Sequence, residues 1–403
     1  MALTPLTEAL QQILATATAT PDVETVPTGE ARHRFCAQLI SAPMAVPPQD
    51  NSAMDGYAVR VGDIPAVLPV SQRIPAGAVP EPLSPGTAAR IFTGAPVPTG
   101  ADAIVLQEDV TETPEGIFFP SATLGQHIRR RGDDIAPGDQ LVARGQCLQP
   151  QDLGLLASVG LAQVEVYRPL RVAILTTGNE LREPGAGQLA PGEIYNSNRV
   201  MLSAQIRALG MSVSDLGNLP DDPDRIGDAL EEAAGAADCI VTAGGVSVGE
   251  EDHIRAQVEA RGSLSLWKLA IKPGKPLAFG EVCGTPIFGL PGNPVSAWIT
   301  FELVAKPWLI KRQGGIVAPV SRYRVRAGFN VTKPGTREEF LRVRFVGEGD
   351  ARRAELTGNQ SSGVLTSLSR AEALAVLPAG ASISEGDWLE IIPLSTLGDP
   401  VVC

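Results

Sequence analysis

Residues 239–252 read CIVTAGGVSVGEED, and the reading of this stretch decides the fold class. Cys239 to Thr242 is a short run, mostly apolar and β-branched, of the kind that forms a strand covered on both faces. It runs into Ala243-Gly244-Gly245, where glycines free the backbone to turn, and then into a helix start. Upstream the same alternation recurs. Val172 to Leu175 predicts a strand, Asn198 to Leu209 a helix, Ser212 to Leu216 a strand and Arg225 to Ala236 a second helix. Strands alternating with helices imply right-handed crossovers, a parallel sheet, and ligand sites at the carboxyl ends of the strands. Residues 170–314 are therefore assigned to an α/β domain.

Outside that domain the texture changes. Thr4-Pro5, a cap and first-turn pair, precedes Leu6, Leu10, Ile13 and Leu14 at helical spacing, so an amphipathic N-terminal helix is expected. From 41 to 140, Pro and Gly punctuate short β-prone pieces such as Ala89 to Phe92 and Ala103 to Leu106, which predicts small β-rich modules. Gln151 to Gly160 carries helical spacing and precedes the strand-like Gln163 to Tyr167, with a boundary near Pro169. Beyond Gly314-Gly315, the alternating stretches Tyr323 to Val325, Phe340 to Phe345, Ala375 to Leu377 and Trp388 to Ile392 predict a barrel or a sandwich.

Composition excludes several classes of protein. At 403 residues the chain exceeds what one hydrophobic core organises, so several domains are expected. A net charge of −12, with no basic block beyond Arg129 to Arg131, argues against nonspecific nucleic-acid binding. No apolar run approaches the ~20 residues of a membrane span and the first residues do not read as a secretion signal, so a cytoplasmic location is expected. Cys36, Cys147, Cys239, Cys283 and Cys403 are scattered singly, unlike a disulfide framework or a zinc knuckle. The three histidines, His33, His127 and His253, are isolated, which gives little support to His-based catalysis.

Several segments carry candidate chemistry. In the Val241 to Asp252 turn, Gly244, Gly245 and Gly249 let N–H groups face an anion at a helix start, and Ser247 with Glu250-Glu251-Asp252 adds polar groups to what would otherwise be a tight corner. Lys268, Lys272 and Lys275 surround a Pro-Gly turn in WKLAIKPGKP (267–276) and could hold oxyanions or simply be solvated. GLPGNPVSA (289–297) closes a strand at Pro291 and starts a helix at Asn293-Pro294, either as capping chemistry or as an anion site. TTGNEL (176–181) supplies Glu180 at a strand end, and Asp221-Asp222-Pro223 begins a helix, where an Asp is more often a cap. DNSAMDGYAVR (50–60) places two carboxylates near Asn51, Ser52 and Gly56, which suits a hard cation, an oxygen-rich substrate or an ordinary surface turn. Nearby FTGAPVPTG (92–100) offers the Thr93 hydroxyl. RRRGDDI (129–135) is either a self-paired surface loop or an anion grip.

Taken in order, DNSAMDGYA, FTGAPVP, RRRGDDI, TTGNEL, GGVSVGEED, KLAIKPGKP and LPGNPVSA resemble the molybdopterin molybdenumtransferase family, the MoeA type that also forms the C-terminal E domain of gephyrin. The resemblance implies a multidomain chain: an elongated N-terminal domain (1–50 and 141–169), an inserted β-rich module (51–140), an α/β domain like that of molybdopterin adenylyltransferases (170–314) and a C-terminal β-barrel (315–403). It implies insertion of molybdate into adenylylated molybdopterin with release of AMP, assisted by a divalent cation, Mg2+. It implies a homodimer with a shared site, Asp55 and Thr93 coming from one subunit and Glu180, Asp221, Asp252, Lys268, Lys272 and Lys275 from the other. Asp55, Glu180 and Asp221 are the implied metal ligands. Gly244, Gly245, Ser247, Gly249, Pro291 and Asn293 are implied to bind substrate, with Arg342 and Ser362 as looser matches. Contacts with a molybdopterin adenylyltransferase and with molybdoenzyme chaperones are implied as well, and neither nucleic acid nor membrane. The chain departs from the pattern at Asn179, where many relatives carry Asp.

Two rival readings follow from the same residues. An adenylyltransferase would share the α/β domain but would not need DNSAMDGYA or FTGAPVP. A noncatalytic scaffold would gain nothing from Asp55, Glu180, Asp221 and Asp252.

Overall fold

The computed structural model describes residues 3–18, 22–245 and 253–398. Ser247, Gly249 and Asp252 lie outside the described residues. The chain forms two compact units, one of Met1–Gln38, Arg144–Gln149 and Val164–Cys403, the other of Leu39–Ala143 and Pro150–Gln163.

At the centre of the larger unit is a six-stranded sheet, in the order Ser212–Leu219, Arg171–Thr177, Cys239–Ala243, Thr285–Leu290, Pro276–Val282, Gly262–Lys268. The first four strands are parallel. Alternation along Arg171–Thr177 sends Val172 and Ile174 into one core and Ala173 and Leu175 into the other, so both faces are covered. Leu202 and Ile206 of the Ser197–Ala208 helix cover the first face together with Ala9 and Ile13 of the N-terminal helix Leu6–Ala15. Pro223–Ala236 and His253–Arg261 cover the second through Ile226, Leu230, Ile254 and Val258.

The expected parallel sheet is mixed at one edge. Pro276–Val282 runs antiparallel to both neighbours. The reason is local: only Cys283 and Gly284 separate it from Thr285–Leu290, and both sit in the left-handed region (φ 49° and 81°), the geometry of a tight hairpin with no room for a crossover. Thr285–Leu290 then leads into a helical run made of Pro294–Thr300, a π-helical turn Phe301–Ala305 and Lys306–Arg312.

C-terminal to this domain, five strands close on themselves. Glu338–Val346 pairs with Arg353–Leu356, which pairs with Tyr323–Ala327, then Trp388–Pro393, then Ala373–Leu377, which returns to Glu338–Val346. Of the two architectures open to the sequence it is the barrel, filled by Val325, Leu341, Val343, Ala354 and Ile391. Ile271–Lys272 adds to it in parallel beside Glu338–Glu339.

The smaller unit is β-rich. Its four-stranded sheet has the order Val70–Ile74, Ala88–Ile91, Gly56–Val59, Ala103–Leu106, and a three-stranded sheet comprises Ala66–Leu68, Gly116–Phe119 and Thr111–Thr113. Gly56 is required by close approach, because a Cβ there would lie 2.0 Å from the Val105 carbonyl oxygen. The Pro150–Ser158 helix belongs to this unit, and the adjoining Val159 packs with Ala42 and Ile135. Among the described residues, no helix is long and apolar enough to cross a membrane.

Candidate active site

In the larger unit the carboxyl ends of Arg171–Thr177, Cys239–Ala243 and Thr285–Leu290 open onto a cleft of about 740 Å³. Four residues expected from three separate motifs, Glu180, Gly244, Pro291 and Asn293, line it together. Each is delivered by a turn that ends a strand. Gly178 (φ 146°) lets the chain double back so that the Glu180 carboxylate lies over it; a Cβ on Gly178 would be 2.6 Å from a Glu180 oxygen. Gly244 and Gly292 back onto each other, a Cβ on Gly292 falling 3.8 Å from the Gly244 Cα. Gly245 (φ 67°) packs tightly, its absent Cβ replaced by contact with Ile254 and Thr177. Asn293 precedes the helix at Pro294 but its side chain makes no capping bond.

Polar side chains knit these turns. Asn196 donates from Nδ2 to the Thr176 hydroxyl at 2.8 Å, and Asn218 donates to the Gly178 carbonyl at 3.1 Å. The Asn198 amide donates to the Gly292 carbonyl at 2.7 Å. The Asn179 N–H donates to Asp221 Oδ2 at 3.1 Å and the Asp221 N–H returns to Asn179 Oδ1 at 3.3 Å, so Glu180 and Asp221 sit on loops latched through the residue that departs from the family pattern. Capping falls instead to Asp222, which accepts from the N–H groups of Asp224 and Arg225.

The lysines divide. Lys275 is exposed and adjoins Pro276, which lines the cleft. Lys272 donates to both Glu339 carboxylate oxygens at 3.2 Å, so its charge is already met by the barrel. Lys268 ends the edge strand, half-buried.

In the smaller unit, Asp55 Oδ1 accepts two bonds of 2.7 Å, from the Thr93 N–H and the Thr93 hydroxyl. These bonds, with help from the Arg90 charge, hold the Asp55 carboxyl below its ordinary range. Arg90 donates to the Gly56 carbonyl at 2.9 Å and lies 5.0 Å and 4.8 Å from the Tyr57 and Phe92 ring centres, gripping the neighbour of each partner. The RRRGDDI loop is partly paired with itself, the Arg130 N–H donating to Asp133 Oδ2 at 2.5 Å, and partly with the first motif. Arg130 pairs with Asp50 at 2.6 Å and Asp50 also accepts from the Arg131 N–H, which joins the first and third motifs.

Comparison with known proteins bears on the whole chain. Residues 4–160 match the MoeA N-terminal region (domain I and II), 173–311 a probable molybdopterin binding domain and 324–394 the MoeA C-terminal region (domain IV). The chain is 38% identical over 376 residues to the molybdopterin molybdenumtransferase of Haemophilus influenzae, covering 91% of this chain and 93% of that one. The chain belongs to the molybdopterin molybdenumtransferase (MoeA) family. It is also 40% identical over 335 residues to molybdopterin molybdenumtransferase 2 of Mycobacterium tuberculosis, covering 79% and 82%. Its fold superposes on the crystal structure of a MoeA protein of molybdopterin biosynthesis from Pyrococcus horikoshii with a TM-score of 0.78 at 32% identity, covering 97% and 99%.

In this MoeA-family chain neither Arg342 nor Ser362 is among the residues that line the cleft. Arg342 is 1% exposed, and its guanidinium donates to the Ser367 hydroxyl and to the Phe340 and Ser361 carbonyls. Burial alone pushes it down to about 10, so it stays charged. It braces the segment leading to Ser362, whose carbonyl accepts from the Val295 N–H at 3.1 Å, and to Gly363, which lines the cleft. Among the described residues no three His, Cys, Asp or Glu side chains gather as a metal-holding group. Thr177, Ile194, Tyr195, Asn196 and Asn198 line the cleft and were not singled out from the sequence. Their available signal is Asn196 three residues before Arg199, a cap spacing that marks the start of the Ser197–Ala208 helix.

Proposed function

We propose that this transferase inserts molybdate into adenylylated molybdopterin, releasing AMP and leaving molybdenum on the dithiolene sulfurs. The observation that carries the reading is the meeting of Glu180, Gly244, Pro291 and Asn293 in one cleft at the strand ends, in a chain of the MoeA family. A reaction between anions needs donors that hold their charge and acceptors that position water or cation. Turn amides and Lys275 serve the first need, and Glu180 and Asp221 the second. Asp55, oriented by its two bonds from Thr93, supplies a further carboxylate.

The carboxylates offer oxygen ligands only, which fits a hard divalent cation such as Mg2+. Asp55, Glu180 and Asp221 would hold it, and when bound it would offset phosphate charge as AMP departs. The proposed assembly is a cytoplasmic homodimer in which Asp55 and Thr93 of one subunit serve the Glu180 site of its mate. Contacts with an adenylyltransferase upstream and with molybdoenzyme chaperones downstream belong to the same proposal.

The test is to incubate the purified chain with adenylylated molybdopterin, with and without molybdate and Mg2+, and to follow AMP. AMP release that requires both is the expected result. Adenylylation of free molybdopterin from ATP would support the adenylyltransferase instead, and no turnover in either direction would support the scaffold.

A further inference from the structure

Gly244, Gly292, Asn293 and Asn198 bring hydrogen-bonding groups to the lining of the cleft. The Leu181–Arg182 and Ile194–Tyr195 strands pair in parallel and bring Ile194 and Tyr195 to the same lining, at 55% and 44% exposure. Among the described residues that line the cleft, Tyr195 is the only aromatic one. Its ring does not swing freely, because its hydroxyl donates to the Gly187 carbonyl at 2.6 Å. Its strand is tied to the candidate carboxylate, since the Ile194 N–H donates to the Glu180 carbonyl at 2.8 Å. A ring held in place yet left exposed in a cleft lining offers a face on which a flat heteroaromatic ring can stack at little entropic cost.

We propose that Tyr195 is the stacking platform for a flat fused heteroaromatic ring of the substrate, which orients it with the ring at Tyr195 and its oxyanions at the Gly244 and Gly292 turns. The inference rests on the proposed function and adds the direction in which substrate lies. The proposed substrate offers two candidates, an adenine, which is such a ring, and a reduced pterin, whose pyrimidine part is flat, and the same face suits either.

The experiment titrates three probes into the full chain by calorimetry: an oxidised fluorescent pterin bearing a side-chain phosphate, AMP, and inorganic phosphate. The variants are Tyr195→Phe, which keeps the ring, and Tyr195→Leu, which keeps apolar bulk without it; both change an exposed side chain. Tyr195→Leu is expected to weaken one ring ligand roughly tenfold, with loss of pterin quenching if that ring is the pterin, while phosphate binding is unchanged. Tyr195→Phe, which keeps the ring but loses the bond that holds it, should bind that ring ligand more weakly than wild type and more tightly than Tyr195→Leu. Which ring ligand suffers identifies the ring that stacks. Equal binding of both ring ligands by wild type and Tyr195→Leu overturns the inference and leaves the proposed function standing. Failure of the wild-type chain to bind either ring ligand overturns both.

Discussion

A single threonine lowers the titration of Asp55. Two of its donors converge on one carboxylate oxygen, the backbone N–H contributing most and the hydroxyl next. A carboxyl held low in the folded chain stabilises it above the ordinary Asp value, and that contribution fades as pH falls through the depressed value. Thr93→Val removes the hydroxyl and leaves the N–H, so the Asp55 titration should move part of the way up toward the ordinary value. Carboxyl NMR reads this directly, and an unmoved titration would show that the hydroxyl bond contributes nothing. Gly178 makes a sharper case. Gly178→Ala would drive a methyl into the Glu180 carboxylate and force an L residue into a glycine conformation, at about 1–3 kcal/mol. AMP release should fall roughly a hundredfold through misplacement of Glu180, well beyond what that loss of stability explains. Near-normal turnover would remove Glu180 from the machinery.

Adjacent aspartates at one helix start divide the labour. Asp222 caps Pro223–Ala236, whereas Asp221 faces the Asn179 loop. Asp222→Ala should therefore cost about 1 kcal/mol in denaturant unfolding and leave turnover nearly intact. Asp221→Ala should reverse the pattern, with little change in stability and a loss of turnover of about a hundredfold or more. Identical behaviour of the two variants would contradict this division. The sequence alone does not separate them, because both occupy cap-compatible positions before a proline. It does expose the strand-end turns at Glu180, Gly244, Pro291 and Asn293, since a parallel sheet gathers such turns on one edge whatever their separation along the chain. The antiparallel edge escapes because Val282-Cys283-Gly284-Thr285 is a weaker hairpin signal than Asn-Gly or Asp-Gly. Tyr195 escapes because its placement depends on a strand pair formed across a long loop. The resemblance implies substrate binding for Arg342, and only barrel closure shows that it is buried.

For the whole assembly, the proposed shared site predicts complementation. Asp55→Ala and Glu180→Ala should each be inactive alone, and subunit exchange between them should restore part of the AMP release. Active exchange mixtures require that one intact site be assembled from two chains; persistent inactivity despite demonstrated exchange would mean that each site is built within one chain. Within the larger unit, Ile271–Lys272 runs as a strand beside Glu338–Glu339, and the Lys272 ammonium sits between both Glu339 oxygens. The turn that carries Lys275 is therefore sewn to the barrel. A chimera that grafts a foreign barrel onto this sheet inherits an unmatched seam there, so compensating changes should be made at 271–272 and 338–339 jointly.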